Sequence, residues 1–455
     1  MLKFYNHLSH KKEVFKPLRK DWVGLYTCGP TVYNFAHIGN LRTYIFEDIL
    51  RRTLEYSGYK VRHVMNITDV EDKIIRDAQK SGQTVFELVK PYEKAFFEDL
   101  KKLNIQKAWK YPKATKHILE MATIIKKLLK SGLAYKTGGS IYFDISKFKS
   151  YGKLSRVSSR ELKAGARIDA DEYAKTNAQD FVLWKAKKSG EPFWKTSLGE
   201  GRPGWHIECS AMSMKYLGPT FDLHAGAVDL IFPHHENEIA QSEGATNKKF
   251  SRYFVEGEHL LVNGEKMSKS LGNIYTLRDI EKKEYNPLTF RYLILTSHYR
   301  SRLNFTWKSL EAAQSALNNL YNELRNSISG TSDVPNINVN FRTSDVQKIE
   351  KRFLEAVNDD LNTPKAIAVV WEIIKNKNLS QKSKKQLLLK FDKVLGLGLK
   401  TIKTAVIPQK IIALAKQREE YRKNEQWDKA DKIREKIQSL GYSVEDAPEG
   451  PRIRK

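Results

Sequence analysis

VGLYTCGPTVYNFAHIGNLRTYIFEDIL, residues 23–50, is the stretch on which the fold class turns. Residues 23–28 (VGLYTC) form a short apolar run that ends in Gly29-Pro30 and reads as a buried strand stopped by a turn. Leu41, Ile45 and Ile49 then recur at i, i+4 and i+8, which places one apolar face on a helix running to about Gly58. Residues 59–67 (YKVRHVMNI) read as a second strand. Strand, helix and strand in one short stretch make a βαβ unit, so the sheet is parallel and the class is α/β.

Outward from this unit, residues 90–135 carry helical periodicity, as at Ile118, Met121, Ile125 and Leu128. Residues 136–200 are mixed and rich in Gly, Ser and Lys, so 101–200 reads as an insertion into the α/β domain. Strand-like runs resume at 220–231 and 253–262. The pattern is helical from 307 to about 394, interrupted by a linker at 329–340 (SGTSDVPNINVN). One last basic-acidic helix is expected over about 411–440, followed by Gly441 and a polar tail.

The chain has 455 residues, enough for about three domains at roughly 150 residues each. It has no apolar run long enough to span a bilayer, so no membrane segment is expected. The first 20 residues lack the apolar core of a secretory signal, and a cytoplasmic location is expected. Only two cysteines, Cys28 and Cys209, are present, which suits free thiols or metal ligands better than a disulfide framework. Lys and Arg number 79 against 53 Asp and Glu, a net charge of +26. Residues 101–200 alone hold 22 basic against 9 acidic residues, half of that excess. Such a charge points to a polyanionic partner, nucleic acid first, though a solvated lysine-rich face also accounts for it.

Three constellations carry chemistry. His37-Ile38-Gly39-Asn40 lies between the first strand and the first helix, where N–H groups and the positive end of the helix dipole can meet a phosphate. Alone, the tetrad reads more readily as the polar start of a helix. Lys266-Met267-Ser268-Lys269-Ser270 puts two lysines three residues apart among hydroxyls, which suits a loop clamping a triphosphate, or an ordinary basic loop. Cys28, Cys209, His234 and Glu238 offer two thiolates, an imidazole and a carboxylate, with His234 and Glu238 at i, i+4 on a helix that Pro233 can start. That set suits tetrahedral Zn²⁺. Structural buried thiols and a His/Glu-rich helix start account for the same residues.

Taken together, these elements resemble the cysteinyl-tRNA synthetases, a family of class I aminoacyl-tRNA synthetases, over essentially the whole chain. HIGN resembles the family's HIGH-type element and KMSKS matches the second catalytic element unchanged. Further matches are CGPTVY at 28–33, AGAR at 164–167, FVLWK at 181–185, GRPGWHIECSAM at 201–212, FPHHENEIAQSE at 232–243 and HYRSRLNFT at 298–306. The resemblance implies a Rossmann-type parallel-sheet catalytic domain in two halves, 1–100 and 201–262, split by the basic connective insertion 101–200. A KMSKS loop and stem-contact region (263–306), an α-helical anticodon-binding bundle (307–400) and a small C-terminal tRNA-binding module (401–455) would follow.

The implied activity joins L-cysteine to tRNA(Cys) through a cysteinyl-adenylate, with ATP and Mg²⁺, in a monomer without membrane contact. By resemblance His37, Asn40, Lys266 and Lys269 are the catalytic residues. Gly29, Thr31, Gly39 and Asp229 join them around the nucleotide. Cys28, Cys209, His234 and Glu238 would hold one Zn²⁺ that selects the substrate thiol. Thr68, Trp205, His224 and His235 would line the amino-acid pocket. Trp205 reads equally as a core aromatic, Asp229 as a cap, and Thr68 with Glu71 as a capping box. The chain departs from the family pattern at Asn40, which lacks the charge of the second His of HIGH, at Ala225 and Ala227 in a usually glycine-rich run, and at Ile453, where relatives often carry an aromatic. An aminosugar-joining relative, a catalytically dead tRNA-binding paralogue and a zinc hydrolase are the rival functions.

Overall fold

The computed structural model describes residues 1–157, 180–268, 270–329, 343–402, 408–446 and 450–454. AGAR at 164–167, Lys269 and nearly all of the 329–340 linker lie outside them.

The expected βαβ unit forms one side of a four-stranded parallel sheet. Its strands are β1 (Val23–Thr27), β2 (Val61–Met65), β3 (Phe221–Ala227) and β4 (Ser251–Gly257), in the spatial order β4-β3-β1-β2. All five residues of β1 are buried, because the strand has a neighbour on each edge and covered faces above and below. Helix α1 (Ile38–Tyr56) makes the crossover from β1 to β2. Leu41 and Ile45 are fully buried on it and Ile49 is 3% exposed. Burying each such side chain contributes about 1.5–3 kcal/mol. The chain leaves β1 toward β2 on one side and returns through β3 on the other. The ends of β1 and β3 therefore form a topological switch point, where a parallel sheet opens a crevice.

Between β2 and β3 the chain adds a separate layer. Helix Ile118–Lys130 packs beside an antiparallel sheet ordered Ala134–Thr137, Ser140–Phe143, Phe181–Ala186, Gly199–Pro203, Trp194–Thr196. Helix α2 (Trp205–Leu217) follows at once and shares a core with it through Ile207, Ala211 and Met212. Helix α3 (Glu236–Thr246) follows β3.

Three local readings are corrected. The 253–262 run is two strands in different sheets, since Leu260–Val262 pairs in parallel with Leu303–Phe305 after β4 has ended. The final helix is two, Gln409–Lys423 and Trp427–Ser439, because Glu425 turns the chain at φ 55° and the pair buries Ile411, Leu414, Ala415 and Ile437 together. Thr68 does not cap the helix Asp72–Ser81; Glu71 is itself the N-cap, and its side chain accepts from Lys73 N at 2.9 Å.

Helices Trp307–Ser329, Thr343–Asn358, Thr363–Lys375 and Gln381–Leu395 form the bundle beyond the sheet. One buried ionic junction ties it to α1. Asp48 Oδ2 accepts from Arg291 Nη2 at 2.6 Å and Arg52 Nε at 2.7 Å. Arg291 also donates to the carbonyls of Leu395 and Leu103, and Arg52 to those of Lys393 and Asn104. Burial alone would raise the Asp48 pKa, but the two guanidiniums outweigh it and hold the carboxyl below its ordinary value. Removing one partner strands the other charge, at a cost of about 3–5 kcal/mol. Asp48→Ala should therefore lower the denaturant midpoint sharply, and Asp48→Ala with Arg291→Met should recover part of the loss; equal midpoints for wild type and Asp48→Ala would refute this assignment.

Candidate active site

The site sits on the switch point. Beyond the end of β1 the chain runs close against the segment after β2. Gly29 N donates to Asn66 Oδ1 at 2.8 Å, and a Cβ at position 29 would stand 1.8 Å from Asn66 O, so only glycine fits. Thr31 pairs with Thr68 in an isolated parallel bridge. Thr68 is buried, accepts from Asn66 Nδ2 at 3.1 Å and donates to Glu208 Oε2 at 3.0 Å.

His37 is the N-cap of α1. Its Nδ1 accepts from Asn40 N at 3.2 Å, and Asn40 Oδ1 accepts from His37 N at 3.3 Å, a reciprocal capping box. With Nδ1 so used, Nε2 carries the proton. The KMSKS segment lies against this helix start. Ile38 N donates to Tyr275 O at 2.8 Å, His37 bridges Thr276, and a Cβ on Gly39 would stand 2.4 Å from Met267 Cε. The two sequence elements, more than 200 residues apart, thus touch. Lys266 is exposed, and Asn273 ties the loop by accepting from Ser268 N at 2.8 Å and donating to Lys266 O at 3.3 Å. Burial lowers the His37 pKa, with the exposed Asp229 opposing that shift from nearby.

Below this mouth, Cys28, Cys209, His234 and Glu238 place one donor atom each within 4.8 Å of one another, all buried. Phe232 is extended (φ −133°, ψ 128°), and the helical backbone that carries His234 into α3 begins after it, at Pro233. His234 Nε2 lies 2.8 Å from Glu238 Oε1. Burial would lower the His234 pKa, but Glu238 and Cys209 outweigh it and raise it to about 10. Burial would raise the Cys209 thiol, yet hydrogen bonding from Cys28 and the neighbouring His234 bring it to about 6. Burial pushes Cys28 well up. Two sulfurs, an imidazole nitrogen and a carboxylate oxygen brought this close make a donor set that suits a cation.

A second donor set, Cys28, His224, His235 and Glu238, shares two of these residues. The first set fits zinc better. It has two thiolates, and its members have outer partners: His206 Nδ1 faces His234 Nδ1 at 2.9 Å and His224 Nε2 faces Glu238 Oε2 at 2.7 Å. His224 and His235 are completely buried behind the first set. Trp205 is half-buried, with its ring 4.3 Å from that of His234. Ala225 is fully buried among Leu25, Phe46 and Val255.

Sequence reasoning missed the polar residues under the site. Glu208 holds Thr68; its only signal was a carboxylate next to Cys209 in an apolar helix. Glu47 of α1 is fully buried beside Thr27, and Glu256 of β4 is fully buried with no hydrogen-bond partner among the described residues, its Oε1 lying 3.0 Å from His235 Nδ1 without hydrogen-bond geometry.

Residues 14–315 match the model described as tRNA synthetases class I (C) catalytic domain, 352–400 a DALR domain, and 404–454 a cysteinyl-tRNA ligase anticodon binding domain. A cysteine–tRNA ligase of Leptospira interrogans is 46% identical over 467 residues, covering 100% of this chain and 99% of that protein. The chain belongs to the cysteine–tRNA ligase family. The enzyme of that name from Caldicellulosiruptor saccharolyticus is 44% identical over 470 residues, covering both chains in full. Mycobacterium tuberculosis methionyl-tRNA synthetase in complex with methionyl-adenylate shares the fold with a TM-score of 0.62 at 14% identity, covering 84% of this chain and 93% of that one. The chain is thus an aminoacyl-tRNA ligase with the class I catalytic fold. No described helix is long and apolar enough to cross a membrane.

Burial, opposed by His7 and His224, raises the Glu256 pKa from 4.5 to about 8. Folding favours its neutral form, so its contribution to stability is complete below the unfolded value and is lost as pH rises through about 8. In the metal-free protein, Glu256→Gln should match wild type in melting temperature near pH ~5 and exceed it near pH ~9. Parallel pH profiles for the two proteins would show that Glu256 does not titrate this way.

Proposed function

We propose that this ligase activates L-cysteine with ATP and Mg²⁺ and esterifies the adenylate to the terminal ribose of tRNA(Cys). The buried Cys28–Cys209–His234–Glu238 set, whose Cys28 opens the β1–α1 connection that ends at the His37/Asn40 helix start, is the observation that carries this reading. These four residues would hold Zn²⁺, and His206 and His224 would orient His234 and Glu238. Bound there, the ion supplies a soft Lewis acid suited to a thiolate and poorly suited to the harder hydroxyl of serine.

The remaining chemistry is positioning and charge stabilisation. His37, with Nδ1 committed to Asn40 N, presents Nε2–H to the phosphates. The α1 N-terminus adds backbone N–H groups and its dipole. Asn40 serves by fixing His37, which needs no positive charge, so its replacement of a second histidine is compatible with catalysis. Gly29 and Thr31 line the nucleotide crevice, Asp229 faces it, and Lys266 and Lys269 would neutralise the α-phosphate and the departing pyrophosphate. Thr68, held by Glu208, and Trp205, over His234, are the groups nearest the amino-acid end. His224 and His235 back the pocket from beneath.

For the rest of the chain we assign the basic 101–200 segment to the acceptor end, 263–306 to the inner stem, 307–400 to the anticodon stem and 401–455 to the anticodon itself. A monomer in the cytoplasm suffices for all of these contacts.

Charging of bulk tRNA with labelled cysteine should occur, and charging with serine should not. Lys269→Ala should cost on the order of 10²–10³ in rate. Cys209→Ser should lose both stoichiometric zinc and cysteine-dependent ATP–pyrophosphate exchange while the protein still folds. Full zinc content and normal charging in Cys209→Ser would disprove the ligand assignment. Exchange without any tRNA charging would move the activity toward an aminosugar-type cysteine ligase.

A further inference from the structure

Phe35 sits two residues before His37, at the rim of the crevice, and it is 39% exposed. A ring left this open to solvent can still receive a ligand, and its position is held by its neighbours. Asn34 Oδ1 accepts from Phe35 N at 2.8 Å. The Tyr92 ring meets it edge-on at 5.2 Å and 79°. The Arg278 guanidinium lies 4.1 Å from its ring centroid and is itself anchored by the buried Asp99 at 3.4 Å. Beside it, Lys73 Nζ stands 5.9 Å from the Tyr33 ring. Three separate segments therefore converge on one ring: the loop before α1, the helix Val85–Lys102 that carries Tyr92 and Asp99, and the helix Leu277–Lys282 that follows the KMSKS loop.

We propose that Phe35, backed by Arg278 and Tyr92, is a stacking platform for an unpaired base at the 3′ end of the tRNA. The inference rests on the function proposed above. An aromatic ring with a flanking guanidinium is the usual support for an unpaired base, and Arg278 and Lys73 complement its phosphates. The reach also fits. Two residues span at most about 7 Å of backbone, so a base on Phe35 leaves its ribose near the phosphate-facing His37. ATP is the less suitable occupant, because the ring is braced by Tyr92 and Arg278 and by none of the residues assigned to the nucleotide.

Full-length wild type, Phe35→Ala and Phe35→Trp should be compared in cysteine charging, in ATP–pyrophosphate exchange, and in binding of tRNA with and without its unpaired 3′ nucleotides. Phe35→Ala should lower kcat/KM for tRNA roughly 10- to 100-fold, leave exchange and the KM for ATP unchanged, and bind trimmed tRNA as wild type does. Phe35→Trp should restore charging. Loss of exchange in parallel with charging would assign the ring to ATP and overturn the proposal, as would wild-type charging by Phe35→Ala. If wild type itself does not charge tRNA, the underlying function fails and the platform with it.

Discussion

Asp48 is the carboxylate on which the arrangement of the molecule depends. It lies in the middle of α1, completely enclosed, and binds two guanidiniums whose remaining donors reach carbonyls on either side of the catalytic domain and the bundle. Such a group has no tolerable alternative partner in a dry interior, so it fixes the register of everything it touches. The N-terminus of the same helix carries His37 and Asn40. One rigid element therefore joins the end of the site that we propose faces the phosphates to the bundle that we assign to the anticodon stem. Asp360 repeats the device, accepting from Tyr5 N, Tyr299 Oη and Arg300 and so tying the N-terminal hairpin of strands Lys3–Asn6 and Lys11–Val14 to the bundle.

The site uses the opposite tactic. Around Glu238 several buried polar atoms have no hydrogen-bond partner among the described residues: His224 Nδ1, His235 Nδ1 and both oxygens of Glu256. The low dielectric that makes such groups costly also makes a charge placed among them strongly felt. A stable core would replace them by apolar residues. Their presence beneath two thiols and beside a helix N-terminus marks a place where stability is given up for binding and catalysis.

Much of this was legible in the chain. The apolar run at 23–28, the i, i+4 stripe of α1 and the following strand were enough for a parallel sheet, because burial on both faces leaves a continuous hydrophobic signature. HIGN and KMSKS were legible as letters, and the His234/Glu238 spacing as one helix face. The hairpin of the last two helices was not legible, since a break at Asn424-Glu425 carries no Gly or Pro. Neither were the antiparallel strands of the insertion, which are short and pair across long stretches of chain, as Ser140–Phe143 does with Phe181–Ala186. The Thr68–Glu71 spacing gave a false capping box, because the backbone of residue 68 bridges Thr31 and the helix starts only after Glu71.

The sequence by itself determined the fold class, the two motif elements and hence the family, and it offered four candidate donors, since periodicity, residue chemistry and order along the chain are local properties. Only the tertiary structure decided which groups meet. Met267 against Gly39, His206 behind His234, His224 behind Glu238, and Glu208 on Thr68 are contacts across tens to hundreds of residues. Nothing in the spacing of those residues specifies them. They follow from the parallel sheet parting at its switch point, which brings the ends of β1 and β3 and the starts of α1 and α3 to one crevice.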